Sequence, residues 1–271
     1  MRSLLFAPGG DERKLEKALA SNADAVVADL EDAIVPAAKD AARTLVARTL
    51  EGTRSKCARI IRVNGADTEL FADDIATVAE LELDAIVLPK ASPDGVAALG
   101  PEGPPVVAIV ETAEGVRLAY EIAQAPRVAA LMLGAVDLGA EVGLEPRVDG
   151  LEILYARSKL VVDSAAAGIR PPFDVVHLDV HDGAGLEAEA RLARSLGYRG
   201  KACIHPEQVG IVNDVFAPTS EEVEWAQRVI GAYEEGKREG RGAVALDGAM
   251  VDLPVVQRAR RILTEAKGAS G

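Results

Sequence analysis

The chain reads as an α/β protein: a TIM (β/α)8 barrel followed by a C-terminal helical lid or oligomerisation extension. Three observations predict this. Short apolar runs alternate with amphipathic stretches along nearly the whole chain, the order that builds a parallel sheet with crossover helices. The alternation counts eight βα units, the number that closes a barrel. The length of 271 residues suits a fold that commonly forms one domain of about 250 residues. An open, doubly wound sheet is the rival, because it uses the same alternation.

The strand-like runs fall at residues 3–8, 25–32, 59–64, 85–90, 106–112, 129–137, 173–179 and 201–206. Each is rich in Val, Ile, Leu and Ala and apolar on both faces, as strands buried in a parallel sheet are. Helix-like stretches at 11–21, 37–50, 69–81, 113–125, 150–168 and 185–197 carry apolar residues at three- and four-residue spacing with charge between them. Pro36 can open the second helix, and Gly168 and Gly197 follow two others. The unit around Ser92–Gly100 is short and punctuated by Gly and Pro, so a full helix is not expected there. After His205-Pro206 the alternation stops. A long helix over 219–242, opened by a cap box near Ser220, leads to AVALDGAMVDLP and a last helix over 255–268. The expected division is a barrel at 1–213 and an extension at 214–271.

Aromatics make up only 3% of residues, so small aliphatic side chains must build the core. A net charge of −13 excludes nonspecific nucleic-acid binding, which needs a basic surface. No apolar run approaches the roughly 20 residues that span a bilayer. Met1-Arg2 leads into a strand ending at Pro8-Gly9-Gly10, unlike a signal peptide. Cys57 and Cys203 sit in different apolar runs and read as buried free thiols, which suits a reducing cytoplasm.

Chemistry is concentrated where apolar runs end. Arg62 closes ARIIRVN, Glu111 closes VVAIVET and Asp137 closes ALMLGAVD. A charge at the carboxyl end of a buried strand costs free energy unless something pairs with it, and barrel active sites lie at those ends. Two carboxylates without a Cys or His cluster favour a hard ion such as Mg²⁺, which keeps positions for water and substrate. A 2-keto acid can fill two of them. Arg62 offers a planar fork for a carboxylate or an enolate; its other reading is an ion pair to Glu111 or Asp29. Asp29, Glu31 and Asp32 crowd one strand end, and read either as support behind a metal site or as caps for the helix near Pro36. Lys90, after Pro89, is the candidate for a Schiff-base aldolase. His177, His181 and His205 read as core or loop residues, and Cys203 as core. Arg13, Lys14, Lys17 and Lys39 are scattered basic residues on surface helices, where solvation is the default role.

With these residues in place, the chain resembles the citrate lyase β-subunit-like (CitE-like) branch of the HpcH/HpaI aldolase superfamily. The likeness runs through LLFAPG, DLEDAI, RVN, LPK, VET, GAVDL, GKACIHPEQV, APTSEEVEWAQRVI and DGAMVDLPVV, nearly the full length. The resemblance implies a Mg²⁺-dependent barrel that cleaves or forms carbon–carbon bonds in hydroxyacyl thioesters such as malyl-CoA, citramalyl-CoA and citryl thioesters. It implies Glu111 and Asp137 as metal ligands and Arg62 as the contact to substrate and enolate, and it makes CoA phosphates the alternative to solvent for Arg13, Lys14, Lys17 and Lys39. Glu31, Asp32, Gly134, Ala135 and Val136 are implied beside the substrate, with Asp29 supporting them from behind. Asp252 resembles an acid delivered from a neighbouring subunit, which implies a homo-oligomer, commonly a trimer. One departure stands out: many relatives carry an acid where this chain has Val136. The function implied is lysis of a citramalyl-CoA- or malyl-CoA-type thioester into a 2-keto acid and an acyl-CoA. The alternatives are a citrate lyase β subunit using a carrier-protein thioester, a malyl-CoA thioesterase or malate synthase-like activity, and a noncatalytic metal-binding subunit.

Overall fold

The structure is a computed structural model that describes residues 1–53 and 55–269. Eight strands close a parallel barrel in sequence order. They are β1 (Ser3–Pro8), β2 (Ala25–Asp29), β3 (Ala58–Arg62), β4 (Ala85–Leu88), β5 (Val106–Val110), β6 (Val128–Leu133), β7 (Phe173–Asp174) and β8 (Gly200–Cys203). The helices of this unit are α1 (Glu12–Leu19), α2 (Lys39–Gly52), α3 (Phe71–Ala79), α4 (Pro93–Ala97), α5 (Ala113–Arg117), α6 (Ala119–Gln124), α7 (Ala135–Val142), α8 (Leu154–Ala167), α9 (Gly183–Leu196) and α10 (Pro206–Phe216). The closed barrel replaces the open-sheet alternative.

Side-chain alternation along each strand builds two cores. Leu4, Ala25, Val27, Ile60, Val107, Ile109, Met132 and Ala202 pack together inside the barrel. Leu5, Val26, Ala28, Ile61, Ala108 and Leu131 face the helices instead. The same period projects the next inward residue of several strands into the barrel mouth: Asp29 after Val27, Arg62 after Ile60, Glu111 after Ile109.

Several elements differ from the sequence-based expectation. The run at 129–137 does not stay extended. Gly134 N makes the last ladder bond, to Val110 O at 3.0 Å, and Gly134 O then accepts from Leu138 N at 3.2 Å, which starts α7. Asp137 therefore lies in the first turn of a helix, not at a strand end. The helix expected over 113–125 is broken at Leu118, whose φ −100° and ψ 18° leave the helical region. β7 has only two residues, Phe173 and Asp174, and the Asp174 side chain sits in a buried ionic knot. Asp174 accepts from Arg157 Nε at 2.9 Å, Arg157 Nη2 at 3.1 Å and Lys201 Nζ at 2.8 Å. Burial alone would raise the Asp174 carboxyl, but Lys201 and Arg157 outweigh it and hold the pKa below the usual range.

A second unit comprises Ala217–Gly271. The division follows Phe216, beyond the boundary expected at 213, because Val215 and Phe216 of α10 are buried in the barrel unit's core. The second unit holds α11 (Ser220–Arg238), a hairpin of β9 (Val244–Leu246) and β10 (Ala249–Val251), and α12 (Leu253–Ala269). The cap of α11 is Thr219 rather than Ser220: its hydroxyl accepts from Glu222 N while the Glu222 carboxylate accepts from Thr219 N, a full capping box. Asp247 and Gly248, at φ 52° and 80°, make the two-residue hairpin turn. Ala226, Val229, Val251, Val256, Ala259 and Ile262 form this unit's own core. Among the described residues no helix is long and apolar enough to cross a membrane. Both cysteines are buried and free.

Candidate active site

The parallel register sets Asp29 of β2 directly beside Arg62 of β3. Both side chains point into the barrel mouth, and they form a two-bond fork: Arg62 Nε to Asp29 Oδ1 and Nη2 to Oδ2, each at 2.7 Å. Arg62 Nη1 lies 2.7 Å from Glu31 Oε2 and 3.8 Å from Asp32 Oδ2. The guanidinium also sits over the Phe6 ring, 5.3 Å from its centroid. Burial opposes the charge of Arg62, but the bond to Asp29 and the fields of Asp29, Glu31 and Asp32 outweigh it, and its pKa is raised. The sequence left Glu111 and Asp29 open as partners of Arg62; its salt-bridge partners are Asp29, Glu31 and, more distantly, Asp32.

Glu111 follows β5 and is 5% exposed. Val110 pairs with Leu133, so the next residues, Glu111 and Gly134, stand opposite each other. A Cβ at position 134 would lie 2.4 Å from Glu111 Cβ and 2.5 Å from Oε2; only glycine lets the carboxylate lie there. Glu111 Oε1 accepts from Lys90 N at 2.7 Å. Burial, followed by the negative charges of Asp137 and Glu31, outweighs Lys90 N and Arg62 and pushes the carboxyl up to about 7. Asp137, exposed in the first turn of α7, thus acts electrostatically on Glu111 although strand counting misplaced its backbone.

Lys90 does not suit Schiff-base chemistry. Its backbone, at φ 47°, turns its N–H to Glu111, and its Nζ donates to Glu31 Oε1 at 3.1 Å. Burial favours the free amine, but Glu31 and the neighbouring acids prevail and raise the pKa, the wrong direction for a nucleophilic amine.

A cavity of about 360 Å³ opens at this end of the barrel. Asp29, Arg62, Glu111, Gly134, Val136 and Asp137 line it, with Phe6, Ile109, Met132, Val175, Val176, Leu178 and Ile204 as apolar walls. Of the residues expected beside substrate, Glu31 instead stands behind Arg62, Asp32 is largely exposed, and Ala135 is absent from the lining. Asp252 belongs to the second unit, where its carbonyl and carboxylate accept from Val256 N at 3.0 Å and Val255 N at 3.4 Å at the start of α12.

The donor set fits a hard divalent ion. Among the described residues no group of three or more His, Cys, Asp or Glu side chains forms a metal cage, whereas Mg²⁺ is held by one or two carboxylates and keeps its waters. Glu111 and Asp137 offer those two carboxylates; burial and, after it, the negative charge of Asp137 raise Glu111, and a cation would offset both.

Lys39 also lies elsewhere than its sequence suggests. Expected at a CoA phosphate or in solvent, it is 5% exposed. The signal was available: Lys39, Ala42, Arg43, Val46, Thr49 and Leu50 are the buried residues of α2, so Lys39 lies on the inward stripe at helical spacing.

The chain is similar to known proteins over nearly its full length. Residues 2–98 and 101–206 match the HpcH/HpaI aldolase/citrate lyase family, and residues 157–268 match a family of C–C bond lyases of the TIM-barrel fold. A (3S)-malyl-CoA thioesterase of Cereibacter sphaeroides is 40% identical over 274 residues, spanning 98% of this chain and 94% of the relative. Human mitochondrial citramalyl-CoA lyase is 32% identical, spanning 98% of this chain and 85% of its own. The crystal structure of CitE from Mycobacterium tuberculosis in complex with magnesium, acetoacetate and coenzyme A superposes with a TM-score of 0.85 at 37% identity, covering 98% of each chain. Fold, cavity and likeness converge: the chain belongs to the HpcH/HpaI aldolase/citrate lyase family.

Proposed function

We propose that the protein is a Mg²⁺-dependent carbon–carbon lyase that cleaves a hydroxyacyl-CoA thioester of the citramalyl-CoA or malyl-CoA type into a 2-keto acid and an acyl-CoA. The observation that carries this is Arg62, clamped by Asp29, in the same cavity as the paired acids Glu111 and Asp137. Glu111 and Asp137 would hold the ion, which supplies Lewis-acid polarisation of the keto-acid oxygens. When the carbinol hydroxyl gives its proton to water at the open cavity mouth, its oxygen becomes the carbonyl of the 2-keto acid, and the electron pair of the breaking C–C bond moves onto the thioester as an enolate. Arg62 meets that charge with a guanidinium already oriented before reaction. Protonation of the enolate carbon completes the acyl-CoA, and Asp252 of a second copy is assigned this proton. That assignment requires a homo-oligomer, and the resemblance to the CitE-like branch favours three subunits. Buried free thiols agree with a cytoplasmic setting.

Charge governs substrate choice in this reading. Among the described residues Arg62 is the one cation lining the cavity, and two acids already engage it. A citryl substrate would bring a second free carboxylate to walls made by Val136, Val175, Val176, Leu178 and Ile204, where an unpaired charge is costly. A methyl group or hydrogen at that position fits instead. The malyl-CoA thioesterases at 40% identity support one competing outcome, attack of water on the thioester. Assays of citramalyl-CoA, malyl-CoA and citryl-CoA with and without Mg²⁺ decide it. Equal release of 2-keto acid and acetyl-CoA is expected, with citryl-CoA the poorest substrate. Free CoA without keto acid would replace lysis by hydrolysis.

A further inference from the structure

We infer that Lys39 is a positioning residue for Arg62, acting through the backbone corner that joins Asp29 to Glu31. An ammonium has three protons to donate, and all three have buried acceptors here: Leu30 O at 2.6 Å, Glu31 O at 2.7 Å and Asn64 Oδ1 at 2.7 Å. These acceptors are not arbitrary. Leu30 and Glu31 directly follow Asp29, and Asn64 lies two residues after Arg62. One side chain from α2 therefore ties the end of β2 to the end of β3, the two elements whose carboxylates and guanidinium form the fork.

The tie is braced from behind. Asn64 donates from Nδ2 to Leu30 O at 3.1 Å and to Asp74 Oδ2 at 2.6 Å, and from its backbone N to Asp74 Oδ2 at 2.7 Å. Asp74, 0% exposed, accepts from Arg43 Nε at 2.7 Å. Glu31 N donates to Asp29 Oδ1 at 2.9 Å, so the corner gripped by Lys39 also orients the carboxylate that holds Arg62. With the ammonium gone, Leu30 O, Glu31 O and Asn64 Oδ1 lose a charged donor in a buried place, and the corner must shift to find water. Lys39 touches neither the cavity nor Arg62; its effect is on where Asp29 and Glu31 stand.

The test uses the whole protein and arginine labelling by phenylglyoxal, mapped by peptide mass spectrometry. Arg157, 1% exposed and forked to Asp174, is the internal control for general loosening. In Lys39→Met, labelling of Arg62 should rise at least tenfold over wild type while Arg157 stays protected. Unchanged labelling of Arg62 overturns the inference; so does a parallel rise at both arginines, which marks a merely structural lysine. If the Met variant does not fold, Lys39→Gln, which keeps two donors, enters the same comparison. The catalytic consequence rests on the lyase reading: kcat should fall by about 100-fold with KM little changed, since misplacing a group that meets transition-state charge acts on kcat. Labelling needs no substrate, so failure of the lyase reading and failure of the tie are separate results.

Discussion

Binding of Mg²⁺ should displace a proton from Glu111 at neutral pH. The carboxyl is pushed up to about 7 by burial and by the charges of Asp137 and Glu31, yet it must be ionised to ligate a cation. Below that pKa the apparent affinity for Mg²⁺ falls about tenfold for each unit of pH. The weakening is then about twofold at pH 7, roughly tenfold at pH 6 and negligible at pH 8. Binding should release about 0.9 proton at pH 6 and about 0.1 at pH 8. Isothermal titration calorimetry in buffers of different ionisation enthalpy reads both quantities. The same shift has a stability sign. A carboxyl raised in the folded state binds more protons there than in the unfolded chain. Its contribution is present below the ordinary value of 4.5 and is lost as pH rises through about 7. The full loss is roughly 3 kcal/mol, and Mg²⁺ should restore it. A Mg²⁺ affinity that is flat from about pH 6 to 8 with no proton released would refute the picture of a crowded, buried Glu111.

Four other outcomes are expected. Gly134→Ala should lower kcat/KM by about 100-fold or more and weaken Mg²⁺ binding, because the new Cβ occupies the place of the Glu111 side chain; circular dichroism should show the barrel intact. Lys201→Met should destabilise the protein by about 3–5 kcal/mol in urea unfolding, since it strips one cation from the fully buried Asp174. Asp252→Asn should reduce turnover by about 10²–10⁴-fold if it carries the proton; wild-type turnover would remove it from the reaction. Cys203, pushed up to about 12 by burial, should resist iodoacetamide at mild alkaline pH in the native protein and react once urea exposes it.

The barrel was legible in the chain because its determinants are local. Eight apolar runs with helical spacing between them leave few ways to bury both faces of each strand. Period two was enough to aim Arg62, Asp29 and Glu111 at one rim once the inward set was known. Local reasoning failed where the backbone changed state within an apolar run. Residues 129–137 look extended throughout, but β6 stops at Leu133, and the next residues coil into α7. Residues 173–179 look like a full strand, but only Phe173 and Asp174 pair, and Asp174 is held by two cations.

Side-chain partners were the larger gap. Nothing in the neighbourhood of Lys39 in sequence says that its three acceptors come from Leu30, Glu31 and Asn64, on two other elements. Nothing next to Gly134 says that the Glu111 carboxylate lies where its Cβ would be. The amino-acid order alone determined the layers, the strand count and the chemical types gathered at the rim, since these follow from burial and period. Tertiary structure alone decided which acid holds Arg62, why Glu111 carries a displaced pKa and why Lys90 is an ammonium. Those depend on distances between residues far apart in the chain, and electrostatic and hydrogen-bond energies turn on such distances within an ångström.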